Sequence, residues 1–139
     1  MAHAFPFKLV TPTGVAFEGS VEQVTASNEI GEFGVLAEHI NFITSLIPGL
    51  VTLKLADNSY RRFVIHGGLA EVKDGEMTVL TPEAVPAEKV SRDIASRELQ
   101  AAEEKLQHLS FYEPEYVSAV RELQLARARQ RAIELSQAA

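Results

Sequence analysis

Val51-Thr52-Leu53-Lys54-Leu55-Ala56-Asp57-Asn58-Ser59-Tyr60-Arg61-Arg62-Phe63-Val64-Ile65 reads as a strand, a turn and a returning strand. From Val51 to Leu55 apolar and polar side chains alternate strictly, the period of a strand with one face buried. Asp57-Asn58-Ser59 is a hairpin-turn composition, because Asp and Asn tolerate left-handed backbone and bond their own main chain. Tyr60 to Ile65 then carries the chain back.

The same pattern extends in both directions. Upstream, Phe7-Lys8-Leu9-Val10 alternates as far as the turn Thr11-Pro12-Thr13-Gly14. Val15-Ala16-Phe17 and Val21-Glu22-Gln23-Val24-Thr25 follow, and Asn28-Glu29-Ile30-Gly31 makes a break. Downstream, Gly67-Gly68 interrupts the pattern and, in a β context, marks a bulge or a close backbone approach. Ala70-Glu71-Val72 leads into Lys73-Asp74-Gly75, and Met77-Thr78-Val79-Leu80-Thr81 closes the set. Eight to ten short strands at this spacing predict an antiparallel sandwich or barrel over residues 1–85, not a parallel α/β sheet.

The period changes near residue 86. Residues 82–88, Pro-Glu-Ala-Val-Pro-Ala-Glu, read as a linker. Ala95, Leu99, Ala102, Leu106 and Leu109 then follow steps of four and three, the apolar stripe of a helix. Ser110-Phe111-Tyr112-Glu113-Pro114 breaks it, and a second helix is expected from about Glu115 to Leu135, with Tyr116, Val120, Leu123, Ala126 and Ile133 on one side. The chain is thus expected to be α+β, with an antiparallel two-helix hairpin over residues 86–139. Its seams are rich in alanine, which buries little area, so the hairpin is expected to be the weaker half, able to leave its partner.

Composition excludes several functions. The 139 residues fit one ordinary domain or a small one with an appendage, and 46% hydrophobic with 23% charged residues argues against disorder. A net charge of -6 argues against a nucleic-acid partner. The absence of cysteine removes disulfides, thiolate zinc sites and thiol nucleophiles. The uncharged stretch Ile40–Leu53 is too short and too polar to span a membrane, so direct insertion is not expected. Met1-Ala2-His3-Ala4-Phe5-Pro6 lacks the basic and apolar regions of an export signal, so a cytoplasmic bacterial chain is expected. No phosphate-binding glycine loop or nucleophile elbow occurs, and His3, His39, His66 and His108 lack the spacing of a local metal site. A non-catalytic chain without metal or cofactor is expected. The four arginines Arg121, Arg127, Arg129 and Arg131 admit two readings, a solvated helix face or a basic face that docks on an acidic protein.

Six motifs in order resemble one family. Gly31-Glu32-Phe33-Gly34-Val35-Leu36-Ala37-Glu38-His39, followed by Phe42-Ile43-Thr44-Ser45-Leu46-Ile47-Pro48-Gly49, resembles the epsilon subunits of bacterial F-type ATP synthases. Val64-Ile65-His66-Gly67-Gly68-Leu69-Ala70-Glu71-Val72 is similar to that family's Val-x-Gly-Gly-x-x-x-Val element, with one extra residue. Phe7 to Pro12 looks like its first strand, and Met77 to Leu80 like its last. In the family's Gly-His-x-Pro turn, Glu38 and Asn41 here replace the glycine and the proline.

The resemblance implies an N-terminal antiparallel β-sandwich of about 85 residues followed by the helical hairpin, in a subunit of the central stalk on the cytoplasmic face of the bacterial membrane as a peripheral component. It would couple ion flow to rotary ATP synthesis and inhibit ATP hydrolysis. Its implied partners are the gamma subunit, the ring of c subunits, and the alpha and beta subunits of the catalytic head. Glu32 and His39 would meet gamma and the c ring, while Arg121, Arg127, Arg129 and Arg131 would touch the catalytic subunits as the hairpin brakes hydrolysis. An alternative is an ATP-sensing module on the same scaffold, using Arg92, Asp93 and Arg97. Against it, aligning Arg97 with the family's nucleotide-motif arginine places Ile94 where the aspartate belongs. Asp93 is one residue out of register, about 100° round the helix.

Overall fold

The computed structural model describes residues 3–137, so Met1, Ala2, Ala138 and Ala139, at the ends of the two expected ranges, lie outside it. Eight strands come first: β1 (Phe5–Thr11), β2 (Gly14–Val21), β3 (Gln23–Ser27), β4 (Glu32–Leu36), β5 (Phe42–Lys54), β6 (Tyr60–Lys73), β7 (Glu76–Leu80) and β8 (Ala84–Pro86). A 3-10 turn (Ala87–Lys89), α1 (Arg92–Gln107) and α2 (Tyr116–Gln137) complete the chain. The strand order is β2-β1-β7-β6-β5-β3-β4, with β8 also on β6. The pairings are antiparallel apart from β1 with β7. The sandwich and the two helices expected from the sequence are both present.

β5 and β6 organise the sandwich. They pair from Phe42↔Val72 to Lys54↔Tyr60, and each serves both sheets. The end of β6 pairs with β7, whereas its beginning pairs with β8, and the end of β5 pairs with β3. The ladder bends between Leu46↔Gly68 and Pro48↔His66. Gly67 and Gly68 hold φ of 85° and 138°, and a Cβ on Gly68 would stand 2.0 Å from the Leu80 carbonyl oxygen. Gly67-Gly68 is therefore a bend inside one long strand, and the expected count of eight to ten short strands becomes eight with two long ones. The Lys73-Asp74-Gly75 turn has φ of 51° and 81° at Asp74 and Gly75, the left-handed pair that matches strand twist in a tight hairpin.

Alternation fills the core from both sheets. Phe7, Leu9, Leu53, Phe63, Ile65, Met77 and Val79 are among the buried side chains. Between Phe63 and Ile65, Val64 points the other way and joins a separate cluster with Ala87, Ala128 and Ala132. That cluster seats α2 on the outside of β5 and β6. The stretch expected as a linker is ordered: Val85 pairs with Val64, Pro86 with Phe63, and Ala87 is buried.

Ser91 caps α1, its hydroxyl accepting from the Ile94 amide at 3.4 Å. α1 buries Ala95 and Ala102, with Leu99 and Leu106 packed against the α1–α2 cluster. α2 buries Leu123 and Ala126 toward α1, and Ala128 and Ala132 toward the sheet. Two buried faces explain why a single stripe described α1 well and α2 only in part.

Candidate interaction surfaces

One end of the sandwich gathers three loops. In the Asn28 turn, Asn28 Oδ1 accepts from the amides of Ile30 and Gly31 at 2.9 and 3.2 Å, and its Nδ2 donates to Thr44 Oγ1 at 3.3 Å. These bonds hold Ile30 at the tip, 97% exposed. Glu32 follows, exposed, opening β4 opposite Ser27.

In the next loop Glu38 takes φ of 66°, so it keeps the left-handed geometry that the family's glycine would supply. The His39 amide donates to the Leu36 carbonyl at 3.3 Å. His39 Nδ1 donates to the Ile40 carbonyl at 2.9 Å, which assigns that nitrogen the proton. Asn41 replaces the proline and does different work: its Oδ1 accepts from the Asp74 amide at 2.9 Å and ties this loop to the β6–β7 turn.

The His39 ring lies 4.9 Å from Phe42, and Phe42 meets Phe33 edge-on at 5.8 Å. Glu32 and His39 thus share this end through the aromatic row Phe33–Phe42–His39. Ile40 and Ile43 stand exposed beside it. Ile30, Ile40 and Ile43 went unread in the sequence, where an isoleucine in a β context reads as core. Ile30, Ile40 and Ile43 thus place exposed aliphatic side chains at the end where Asn28 and Asn41 tie the loops down.

The arginines of α2 do not form one group. Arg121, Arg127 and Arg131 are exposed, and Arg127 and Arg131 stand one turn apart on the same face. Arg129 lies on the opposite side and is ion-paired with Glu98 of α1. Nearby, Lys105 Nζ donates to both carboxylate oxygens of Glu122 at 3.2 and 3.1 Å.

Arg92, Asp93 and Arg97 lie exposed in the first turns of α1. Arg97 Nε donates to the Asp93 carbonyl at 3.4 Å. The cavity of about 310 Å³ in the hairpin is lined instead by Glu98, Ala101, Lys105, Glu122, Leu125 and Arg129, among others. Among the described residues no group of three or more His, Cys, Asp or Glu side chains is placed to hold a metal. No helix among them is long and apolar enough to cross a membrane.

Residues 4–87 match the family model described as the ATP synthase delta/epsilon chain β-sandwich domain. The chain is 35% identical over 102 residues to an ATP synthase epsilon chain of a Bradyrhizobium species, covering 73% of this chain and 75% of the relative. It is 38% identical over 104 residues to that of Maricaulis maris, covering 75% and 77%. Among solved structures it superposes with a TM-score of 0.81 and 26% identity on a chain of the Euglena gracilis mitochondrial ATP synthase, an assembly of OSCP, F1 and c-ring, covering 94% of this chain and 81% of that one. With a family model over residues 4–87 and relatives more than 30% identical over about three quarters of the chain, this chain belongs to the delta/epsilon chain family of ATP synthases.

Proposed function

We propose that this chain serves in the central stalk of an ATP synthase as a non-catalytic subunit. The sandwich end carrying Glu32, His39 and the exposed isoleucines contacts the gamma subunit and the polar loops of the c ring, and thereby couples ion flow to rotation. The complex, not this chain, supplies the membrane anchor, and the chain sits peripherally on the cytoplasmic face.

The hairpin is the regulatory part. It leaves the sandwich, rises along gamma and brakes ATP hydrolysis, with Arg121, Arg127, Arg129 and Arg131 meeting acidic surfaces of the alpha and beta subunits. The observation that carries this reading is the way the hairpin is attached. Among the described residues α2 is the helix that lies against the sheet, through a small cluster of Val64, Ala87, Ala128 and Ala132, with Leu50, Val90 and Leu125 packed beside it, separate from the sandwich core. The sandwich (residues 1–85) and the hairpin (residues 86–139) then act as two units, and the cut that separates them without damaging β8 falls after Val90.

The test is an assembled enzyme whose copy of this chain ends at Val90, alongside one carrying E32A and H39A. Truncation raises ATP hydrolysis severalfold while assembly persists. The double substitution lowers proton pumping per ATP while the isolated chain stays folded. Equal hydrolysis by truncated and full-length enzymes under all nucleotide conditions removes the brake, and undiminished pumping removes the coupling surface.

A further inference from the structure

The two ion pairs across the hairpin are related by a rule that neither shows alone. Glu98 and Lys105 are seven residues apart on α1, and Glu122 and Arg129 are seven apart on α2. Two turns of helix bring both members of each set to nearly the same side. The antiparallel helices then match acid to base at one site and base to acid at the other, Glu98 with Arg129 and Lys105 with Glu122. Sliding α2 by two turns in one direction sets Glu98 against Glu122, and in the other direction sets Lys105 against Arg129. The sign reversal therefore favours one register and penalises its neighbours.

Between the two pairs the seam is thin. Ala102, Leu123 and Ala126 are its buried members, and a cavity of about 310 Å³ opens beside Ala101 and Leu125. A seam in which Leu123 is the one large side chain fully within the cluster, and Leu99 and Leu106 are half-exposed, leaves more of the register and closure to charge than a fully buried leucine seam does. The Glu98–Arg129 pair is also the more sheltered of the two, with Arg129 25% exposed against 47% for Lys105.

We infer that Glu98–Arg129 and Lys105–Glu122 form an electrostatic clasp that holds α1 on α2, and that the closed clasp keeps Arg129, on the side of α2 opposite Arg127 and Arg131, from an acidic partner. The second half rests on the braking role proposed above; the first does not. Arg129 then has two partners in turn. In the docked hairpin it serves Glu98. When α1 separates from α2 it becomes the fourth cation available to an acidic partner, so opening increases the basic charge of α2 at the moment the helix is released.

Amide hydrogen exchange on the full chain tests the clasp, because exchange of α1 amides reports its local opening. E98Q and R129Q each raise α1 exchange by about twofold to tenfold, the range set by one charge pair, while strand amides hold their protection. The swapped pair E98R/R129E returns α1 exchange to within about twofold of the parent, although each of its changes taken alone opens the helix. Unchanged α1 exchange in E98Q and R129Q, or a swapped pair as open as the single variants, overturns the clasp.

Hydrolysis by the assembled enzyme tests the withheld arginine. E98Q, which opens the clasp and keeps Arg129, brakes more strongly than the parent. R129Q opens it equally and brakes less strongly than E98Q. Equal hydrolysis by these two variants overturns the role of Arg129 and leaves the clasp to the exchange result. Failure of the braking role itself shows separately, as a truncation after Val90 without effect on hydrolysis.

Discussion

The sandwich and the hairpin are both closed by apolar contact, but with side chains of different size. The sandwich core interlocks Phe7, Leu9, Leu53, Phe63, Ile65 and Met77. The hairpin closes on Ala102, Leu123 and Ala126 with half-buried Leu99 and Leu106 beside them, and α2 rests on the sheet through Ala128 and Ala132. A fully buried large side chain contributes about 1.5–3 kcal/mol and a single buried methyl about 0.8 kcal/mol. One fold therefore joins a core of large interlocked side chains to an α2 seated on the sheet by small ones, as the proposed release of the hairpin requires. The difference teaches that residue size at the contact, as well as the number of buried positions, sets how firmly an element is held.

The largest effect belongs to the bend that makes the sandwich. Gly68→Ala places a methyl where the Leu80 carbonyl oxygen lies 2.0 Å away, at a φ of 138° that side chains other than glycine rarely adopt. Overpacking and backbone strain together cost about 3 kcal/mol or more. The denaturation midpoint of the chain truncated after Val90 falls accordingly, with no help or harm from the hairpin. A Gly68→Ala variant as stable as its parent would show that the β6–β7 contact yields easily, and the contrast between a rigid and a movable half would weaken.

A smaller and more discriminating effect comes from two valines, both fully buried. Val79 lies in the sandwich core, and Val64 in the cluster under α2. Each valine-to-alanine change costs about 1–3 kcal/mol. Their consequences divide. Val64→Ala raises amide exchange across α2 while β1 and β7 keep their protection. Val79→Ala lowers global stability and leaves the local opening of α2 as it was. If Val64→Ala frees α2 and β7 together, the chain is one cooperative unit and the hairpin does not leave alone.

What the sequence disclosed follows the range of the interactions concerned. The Lys73-Asp74-Gly75 turn and the α1 stripe from Ala95 to Leu106 are local patterns, and both were legible. Pro82 to Glu88 carries two prolines and read as a linker, yet β6 offers it a short edge where Val85 and Pro86 pair. That partner lies some twenty residues upstream and leaves no local trace. α2 buries a second face through Ala128 and Ala132, and alanine on a helix gives little hydrophobic contrast. Glu32 and His39 were singled out through family motifs. Their exposed neighbours Ile30 and Ile40 depend on Asn28 reaching Thr44 and on Asn41 reaching Asp74, contacts that only the folded chain creates. The inward turn of Arg129 did leave a signal, in the matched seven-residue spacing of opposite charges on the two helices.

The smallest effect is confined to the turn between β5 and β6, and it marks how far a local change in the sandwich spreads. Asp57 Oδ1 accepts from the Ser59 hydroxyl at 2.5 Å and from the Ser59 amide at 3.0 Å. The Ser59 hydroxyl bond, then the amide bond, hold the Asp57 carboxyl below its ordinary value. A carboxylate whose folded value is depressed contributes stability at pH above its unfolded value, and that contribution is lost as pH falls through the folded value. The loss therefore lies in acid, below the ordinary aspartate range near 3.8, and Asp57 contributes nothing to pH dependence near neutrality. Ser59→Ala removes the larger cause, so the Asp57 titration followed by NMR moves upward toward the ordinary value. Because the group is fully exposed and its bonds are local, α2 amides keep their protection through the same titration. An Asp57 titration unmoved by Ser59→Ala would remove the hydroxyl as the cause. Loss of α2 protection as Asp57 protonates, with the sandwich still folded, would show that this turn communicates with the hairpin, and the sandwich would no longer be a fixed platform on which the hairpin moves.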